Sequence, residues 1–468
     1  MKKQHPMLAR QLLGVSLLSM LIAGGPVVAD TVFTATSDGF TGRVGAEAAE
    51  GAALYAGGSA VISGEGLVPG QQITLMRGST VLNADAPITV DDEGEFSHEI
   101  AVDAEAVTGL QPIVVIGENP AAATVVDMKI SPDVPVSGAD RFEITQAPVA
   151  RGLYQVIYSE ASDAAYVTSA VGRPPVKDSA LTKVNADTLE TIAQVNPAAA
   201  PARADGREGG VFAVYGVGVD DANGNVWVTN TRQNTIAVYK QDDLSLVKQF
   251  APDLVEHARD VLVDEGRGRA YVSATFTNAI RVFDTATLEE LDPIEIPSEV
   301  RGEEFSVMSL DLDPEGGKLV TVSLSTPEAA MVDLESGEVR VIALPGARRA
   351  SGVAYDPQDG LIFVASQETD NLLIVDAESG EVLHDVEVGA GALNVAFEPQ
   401  SRLAFVSNRA AQTITVVDTS GQIVANLDAG YQPNQLRADG RGNVYAVNKS
   451  AGQDSDEGGS IWRIRLKE

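Results

Sequence analysis

The feature that most constrains this chain is a strand-type phrase that returns seven times after about residue 138. It reads AYVTSA (165–170), VWVTNT (226–231), AYVSAT (270–275), LVTVSL (319–324), IFVASQ (362–367), AFVSNR (404–409) and VYAVNK (444–449). Anchored on the third residue of each copy, Val167, Val228, Val272, Thr321, Val364, Val406 and Ala446, the spacings are 61, 44, 49, 43, 42 and 40 residues. No amphipathic helical pattern lies between the copies. A unit of this length that buries its faces only against its neighbours predicts an all-β ring of four-stranded blades, a β-propeller. Seven copies predict seven blades.

The fifth copy shows the internal order. SGVAYDP reads as the inner strand, LIFVASQ as the second, NLLIVDAES as the third and EVLHDVEVG as the outer, with turn residues Asp356-Pro357-Gln358-Asp359-Gly360 and Ser379-Gly380 between them. The seventh copy stops after SIWRIRL (460–466) and lacks an outer strand. FEITQ (142–146) precedes the first inner strand, where an outer strand stands in other copies. Phe142–Gln146 is therefore expected to pair with the C-terminal strand and leave no open edge.

The propeller region is taken as 136–468, and two different kinds of text precede it. Residues 1–29 combine Lys2, Lys3 and Arg10 with an apolar run from Leu12 to Ala23 and small residues before Asp30. This is the pattern of a secretory signal peptide cleaved between Ala29 and Asp30, too short to span a membrane. The expected product is exported to the periplasm or beyond, without a membrane span. Residues 30–135 read as short half-buried strands, with Ile73, Leu75, Phe96 and Ile100 alternating and Val68-Pro69-Gly70 and Asp92-Glu93-Gly94 as turns, predicting a small β-sandwich.

These residues also carry two resemblances. ISGEGLVPGQQITL (62–75) with VDDEGEFSHEI (90–100) resembles the Ig-like repeat domains of bacterial exported proteins. AYVTSA, VWVTNT and AFVSNR, with the trailing VDAESGEV, VDLESGEV and VDTSGQIV, resemble the YVTN-repeat propellers. With the leader and the insertion GRPPVKDSA (172–180), the chain is similar to the YncE-like periplasmic propellers. The resemblance implies a seven-bladed ring. It leaves function open, because that family spans binding proteins, surface proteins and relatives of lactonase-type propellers.

Composition narrows the chemistry. The chain has no cysteine, which excludes disulfides, thiol nucleophiles, cysteine-ligated metals and haem attachment. Asp and Glu number 66 against 33 Lys and Arg, giving −33, and loss of the leader removes three bases and no acid to give −36. So negative a chain opposes nucleic-acid binding and casual self-association, and a monomer is expected. No Walker loop, GxSxG, HExxH or dinucleotide fingerprint is present, and no cofactor is expected.

In a propeller the second-to-third and outer-to-inner loops share one face. That face collects Arg173, Arg232, Arg259, Arg349 and Arg409, with Lys449 beside them, whereas the opposite face is dominated by acids. Aligning the inner-strand entrances places Gln155, Gly216, Asp260, Ser309, Gly352, Asn394 and Gln435 around the tunnel mouth. The five arginines with Gln155, Asp260, Ser309, Asn394 and Gln435 are thus the candidate ligand-binding residues. Guanidinium groups favour a small anionic ligand or a protein partner. One Asp among amides is a thin charge supply for a divalent cation, and no metal is expected. The reading is a non-enzymatic binding or scaffold protein. A lactonase-like hydrolase using Asp260, Asn394 and His257 at the mouth is the alternative.

Overall fold

The computed structural model describes residues 42–203, 206–449 and 459–467. The signal-peptide reading falls on residues outside that set. The protein is all-β: apart from two 3-10 turns, every regular element among the described residues is a strand. No helix there is long and apolar enough to cross a membrane.

Seven four-stranded antiparallel sheets account for the repeats, each built from consecutive strands except the last. The fifth follows the order read from sequence, Ala350–Asp356, Leu361–Ser366, Asn371–Asp376 and Val382–Glu387. Second strands such as Leu361–Ser366 and Leu403–Asn408 are buried along their whole length, because both faces meet neighbouring sheets. Outer strands such as Val382–Glu387 alternate between half-buried and exposed residues. The inner strand of each sheet packs on the next, and the seventh packs on the first, so the sheets form a ring.

The ring closes as the sequence predicts. Phe142–Pro148 pairs antiparallel with Ser460–Leu466, from Phe142 opposite Leu466 to Pro148 opposite Ser460, and completes the seventh sheet. Phe142, Ile461 and Ile464 are buried there. Trp227 belongs to the core between the second and third sheets, packing against Phe250 and Phe283.

Ahead of the ring lies a separate two-sheet module. Arg43–Ala48, Ser59–Glu65 and Phe96–Ala101 form one sheet, and strands between Gln72 and Ile130 form the other. Ile62, Leu75, Ile113 and Val115 fill the space between them. The module sits on the fifth and sixth sheets through Asp370, a carboxylate with 1% of its surface exposed. Asp370 accepts hydrogen bonds from Lys129 Nζ (2.8 Å), Ser131 Oγ (2.7 Å) and the Gly391 backbone N–H (2.6 Å). Asn426 Nδ2 adds a bond to the Val134 carbonyl at 2.7 Å. Breaking a buried pair leaves an uncompensated charge and costs on the order of 3 kcal/mol. Asp370→Asn is therefore expected to accelerate hydrogen exchange in Ala122–Ile130 and in the 367–391 loops while the remaining sheets keep their protection; unchanged exchange would remove this clamp.

Candidate functional site

The inner strands enter the tunnel through irregular backbone. In six of the seven sheets the pairing between the inner and second strands shifts register at the entrance, as between Ala258 and Val261 or between Ala392 and Asn394. A shift of this kind bends the strand and re-aims a side chain. It turns the polar residues predicted from the alignment toward their neighbours around the ring. The two glycines leave room instead: a Cβ on Gly216 would stand 2.1 Å from the Arg259 carbonyl oxygen, and one on Gly352 would stand 2.6 Å from Asn394 Cα.

The polar entrance residues form a belt. Gln155 Oε1 accepts from Val217 N–H (3.0 Å), Asp260 Oδ2 from Leu310 N–H (3.1 Å), Asn394 Oδ1 from Leu436 N–H (2.9 Å) and Gln435 Oε1 from Val156 N–H (2.9 Å). Thr229 Oγ1 donates to the Arg259 carbonyl (3.1 Å), Ser309 Oγ to that of Ser351 (2.5 Å), and Ser351 Oγ to that of Leu393 (2.6 Å). Every sheet is tied to the next, and the last to the first. A backbone N–H can only donate, so each amide in the belt turns its oxygen outward. That arrangement leaves no amide oxygen ring for a metal ion, and no group of three or more His, Asp or Glu among the described residues could hold one.

Above the belt is a cavity of about 210 Å³ lined by Tyr154, Gln155, Tyr215, Thr231, Arg232, His257, Arg259, Ser309, Asn394, Asn434, Gln435 and Lys449. Seven residues singled out from the sequence meet here: Gln155, Arg232, His257, Arg259, Ser309, Asn394 and Gln435. Arg409 adjoins them, close enough to Lys449 and Tyr154 to act on both electrostatically, and it also lines a neighbouring cleft with Arg349 and Lys129. Arg349 points instead to Glu368, at 3.6 Å. Arg173 is exposed and lines neither space.

The cations of the mouth differ from those elsewhere. On the opposite face Arg267 pairs with Asp264 (3.0 Å), Arg269 with Asp284 (2.8 Å) and Lys318 with Asp333 (2.5 Å). Among the described residues no carboxylate stands within ion-pair distance of Arg232, Arg259, Arg409 or Lys449. Lys449 Nζ lies 3.8 Å from the centre of the Tyr154 ring, Arg232 lies 5.9 Å from that of Tyr215, and the two tyrosines meet edge-to-face at 4.4 Å. Burial, then the charges of Arg409, Arg259 and Arg232, push Lys449 down to about 7. Burial, followed by Arg259 and Arg232, pushes His257 down to about 4. Burial also lowers Arg259 and Arg409, and the Nε of each lacks a hydrogen-bond partner.

The residues suggested for hydrolysis do not form an acid–base couple. Both oxygens of Asp260 are engaged, Oδ1 by Val261 N–H and Oδ2 by Leu310 N–H, with Arg437 3.6 Å away. His257 contacts the exposed ring of Phe276 at 4.7 Å, and no hydrogen bond joins it to Asp260 or Asn394. Beneath the mouth, two residues further along their strands, Asp311 and Arg437 approach at 3.5 Å, and burial raises Asp311 despite the guanidinium. Asp260, Asp311 and Arg437 form a floor that carries more acid than base.

Sequence reasoning passed over Lys449 as a ligand-binding residue, and with it Tyr154, Tyr215 and Asn434. The signal for Lys449 was present: it ends VYAVNK as Arg409 ends AFVSNR, so both stand where a second strand leaves its sheet. In sequence, Tyr154 and Tyr215 stand beside the tunnel mouth but read, with Trp227, as core; Trp227 packs that way, while the two tyrosines line the cavity.

No family model and no curated protein matches this sequence. Solved structures with similar folds include the Kuenenia stuttgartiensis hydrazine synthase, 15% identical, covering 64% of this chain and 94% of that one with a TM-score of 0.52. The RRP9 WD40 repeats are 9% identical, covering 72% of this chain and 100% of that one at 0.56, and U3-55K is 10% identical, covering 70% and 99% at 0.56. At these identities the likeness is one of architecture, and it identifies the ring as a propeller-like all-β fold.

Proposed function

We propose that this chain is an exported, non-enzymatic recognition protein: a seven-bladed ring of the YncE-like kind carrying an Ig-like module, whose mouth face docks an anionic ligand or the acidic surface of a partner protein. The observation that carries this reading is the cluster of Arg232, Arg259, Arg409 and Lys449, cations with no acid partner among the described residues, in a chain of net charge −33. Arg259, Arg409 and Lys449 are half-buried, and half-buried cations without a counter-charge are costly until an anion desolvates with them; Arg232 is exposed beside them, its Nε donating to the Tyr215 hydroxyl at 3.3 Å. WD40-like neighbours fit a scaffold role, and the basic leader followed by an apolar run fits export. The rigid belt holds the donors in place before the ligand arrives, which lowers the entropic cost of binding.

Native mass spectrometry of the mature protein from its own exported fraction tests the reading. Wild type is expected to carry a reproducible excess mass or a co-purifying chain, and the Arg232/Arg259/Arg409 triple alanine variant to lose it. A bare polypeptide mass for both, with no companion chain, would overturn the proposal.

A further inference from the structure

The belt and the cations together specify more than negative charge. Gln155, Asn394 and Gln435 each give their side-chain oxygen to a backbone N–H of the next sheet. Their NH2 groups make no hydrogen bond among the described residues, yet all three residues line the mouth cavity. Arg259 Nε and Arg409 Nε also lack a partner among the described residues, but both atoms are buried, so these guanidinium groups can meet a ligand only through their terminal NH2 groups. The cavity therefore offers donors from the first, sixth and seventh sheets through the amides, and from the second and third through Arg232 and Arg259. Among the lining side chains Ser309 is committed to the Ser351 carbonyl, and Asn434, whose NH2 donates to the Tyr154 carbonyl, is the one amide there that keeps its oxygen free, against three amides that keep their NH2 groups.

A carboxylate presents two oxygens in one plane and one unit of charge. A phosphate group presents oxygens in tetrahedral directions and up to two charges, and so suits donors spread over an arc of five sheets around three or four cations. Resting on the mouth-face reading above, we infer that the tunnel mouth is a phosphate-binding site, taking either the free ion or the terminal group of a phosphate monoester. The amide NH2 groups meet the oxygens directed down the tunnel, and Arg232, Arg259, Arg409 and Lys449 surround those nearer the opening. The floor of Asp260, Asp311 and Arg437 opposes deeper passage of the anion. The walls of Tyr154 and Tyr215 leave space for the organic part of an ester, and Phe276, 61% exposed beside His257, offers it an apolar rim.

Isothermal titration of the mature chain in a phosphate-free buffer, with inorganic phosphate, phenyl phosphate, succinate and citrate as separate titrants, tests this. One phosphate-class titrant is expected to bind at a single site, and Arg259→Gln/Arg409→Gln is expected to weaken it about tenfold to a hundredfold, the loss that follows removal of a charge-assisted bond. Tighter binding of inorganic phosphate assigns the free ion, and tighter binding of phenyl phosphate assigns the ester. Binding of citrate or succinate with no response to either phosphate overturns the inference and leaves the anion-binding mouth standing. No response to any titrant overturns the inference together with the small-anion form of the mouth-face reading, and leaves its protein-partner form to the mass-spectrometric test. Circular dichroism and melting of the double variant establish that it folds, and if it does not, Lys449→Gln replaces it with the same expected direction.

Discussion

Removing Ser460–Glu468 is expected to abolish the cooperative melting of the ring. Those residues supply the third strand of the seventh sheet, so their loss strands Phe142–Pro148 on one side and leaves Asn443–Asn448 with an open edge on the other. Ile461 and Ile464 are buried, at about 1.5 to 3 kcal/mol each, and two ladders of backbone hydrogen bonds go with them. Against a typical total of about 5 to 15 kcal/mol the deletion removes a large share of stability. Differential scanning calorimetry should show a broadened transition of much reduced enthalpy. Because the truncated chain can fail to fold at all, Ile464→Ala provides the graded test, with an expected loss of about 2 to 4 kcal/mol. A truncated protein that melts like the full chain would refute closure through this pair.

Replacing Lys449 by Met is expected to stabilise the protein near neutral pH. The ammonium is held down to about 7 in the fold, against an ordinary 10.5. As pH falls from 10.5 to about 7 the unfolded chain takes up a proton that the folded chain does not, so stability falls across that window and stays at its reduced level below it. Removing the group lifts this penalty, on the order of 2 kcal/mol after allowance for solvent screening and for the lost cation–π contact with Tyr154. His257 acts in the same direction at lower pH, since its proton uptake on unfolding lies between 6.5 and about 4. Melting temperatures in phosphate-free buffer should therefore be higher for Lys449→Met at pH 6.5, with the difference shrinking as pH rises toward 10.5 and lost above it. A variant that melts lower than wild type at pH 6.5 would contradict the account. Gain of stability on removing Lys449 is the trade expected of the anion-binding role proposed for it.

The repeats made the ring legible before any coordinate. Period, strand order within each unit and the closing role of Phe142–Gln146 all follow from residues whose burial is dictated by their neighbours in the sheet. The site was legible only where the repeat aligned its parts: Gln155, Ser309, Asn394 and Gln435 occupy one register in successive units, and the structure brings them together. Two limits were physical. Charge on a face says nothing of pairing, so Arg349, held by Glu368, looked the same in sequence as Arg259, which has no acid partner among the described residues. The direction of an amide was equally hidden, because which of its two ends faces the tunnel depends on the neighbouring strand's N–H.

The acidic floor gives the mouth the character of a well. With Asp260, Asp311 and Arg437 beneath the mouth, an anion bound as proposed meets net acid below it and leaves most easily by the opening it entered. Exchange is then controlled at one rim, where Phe276, Tyr431 and the edge of the N-terminal module at Ala52 and Lys129 stand. A partner seated on that rim would set how long the ligand stays without touching it, so occupancy and docking become two readings of the same doorway.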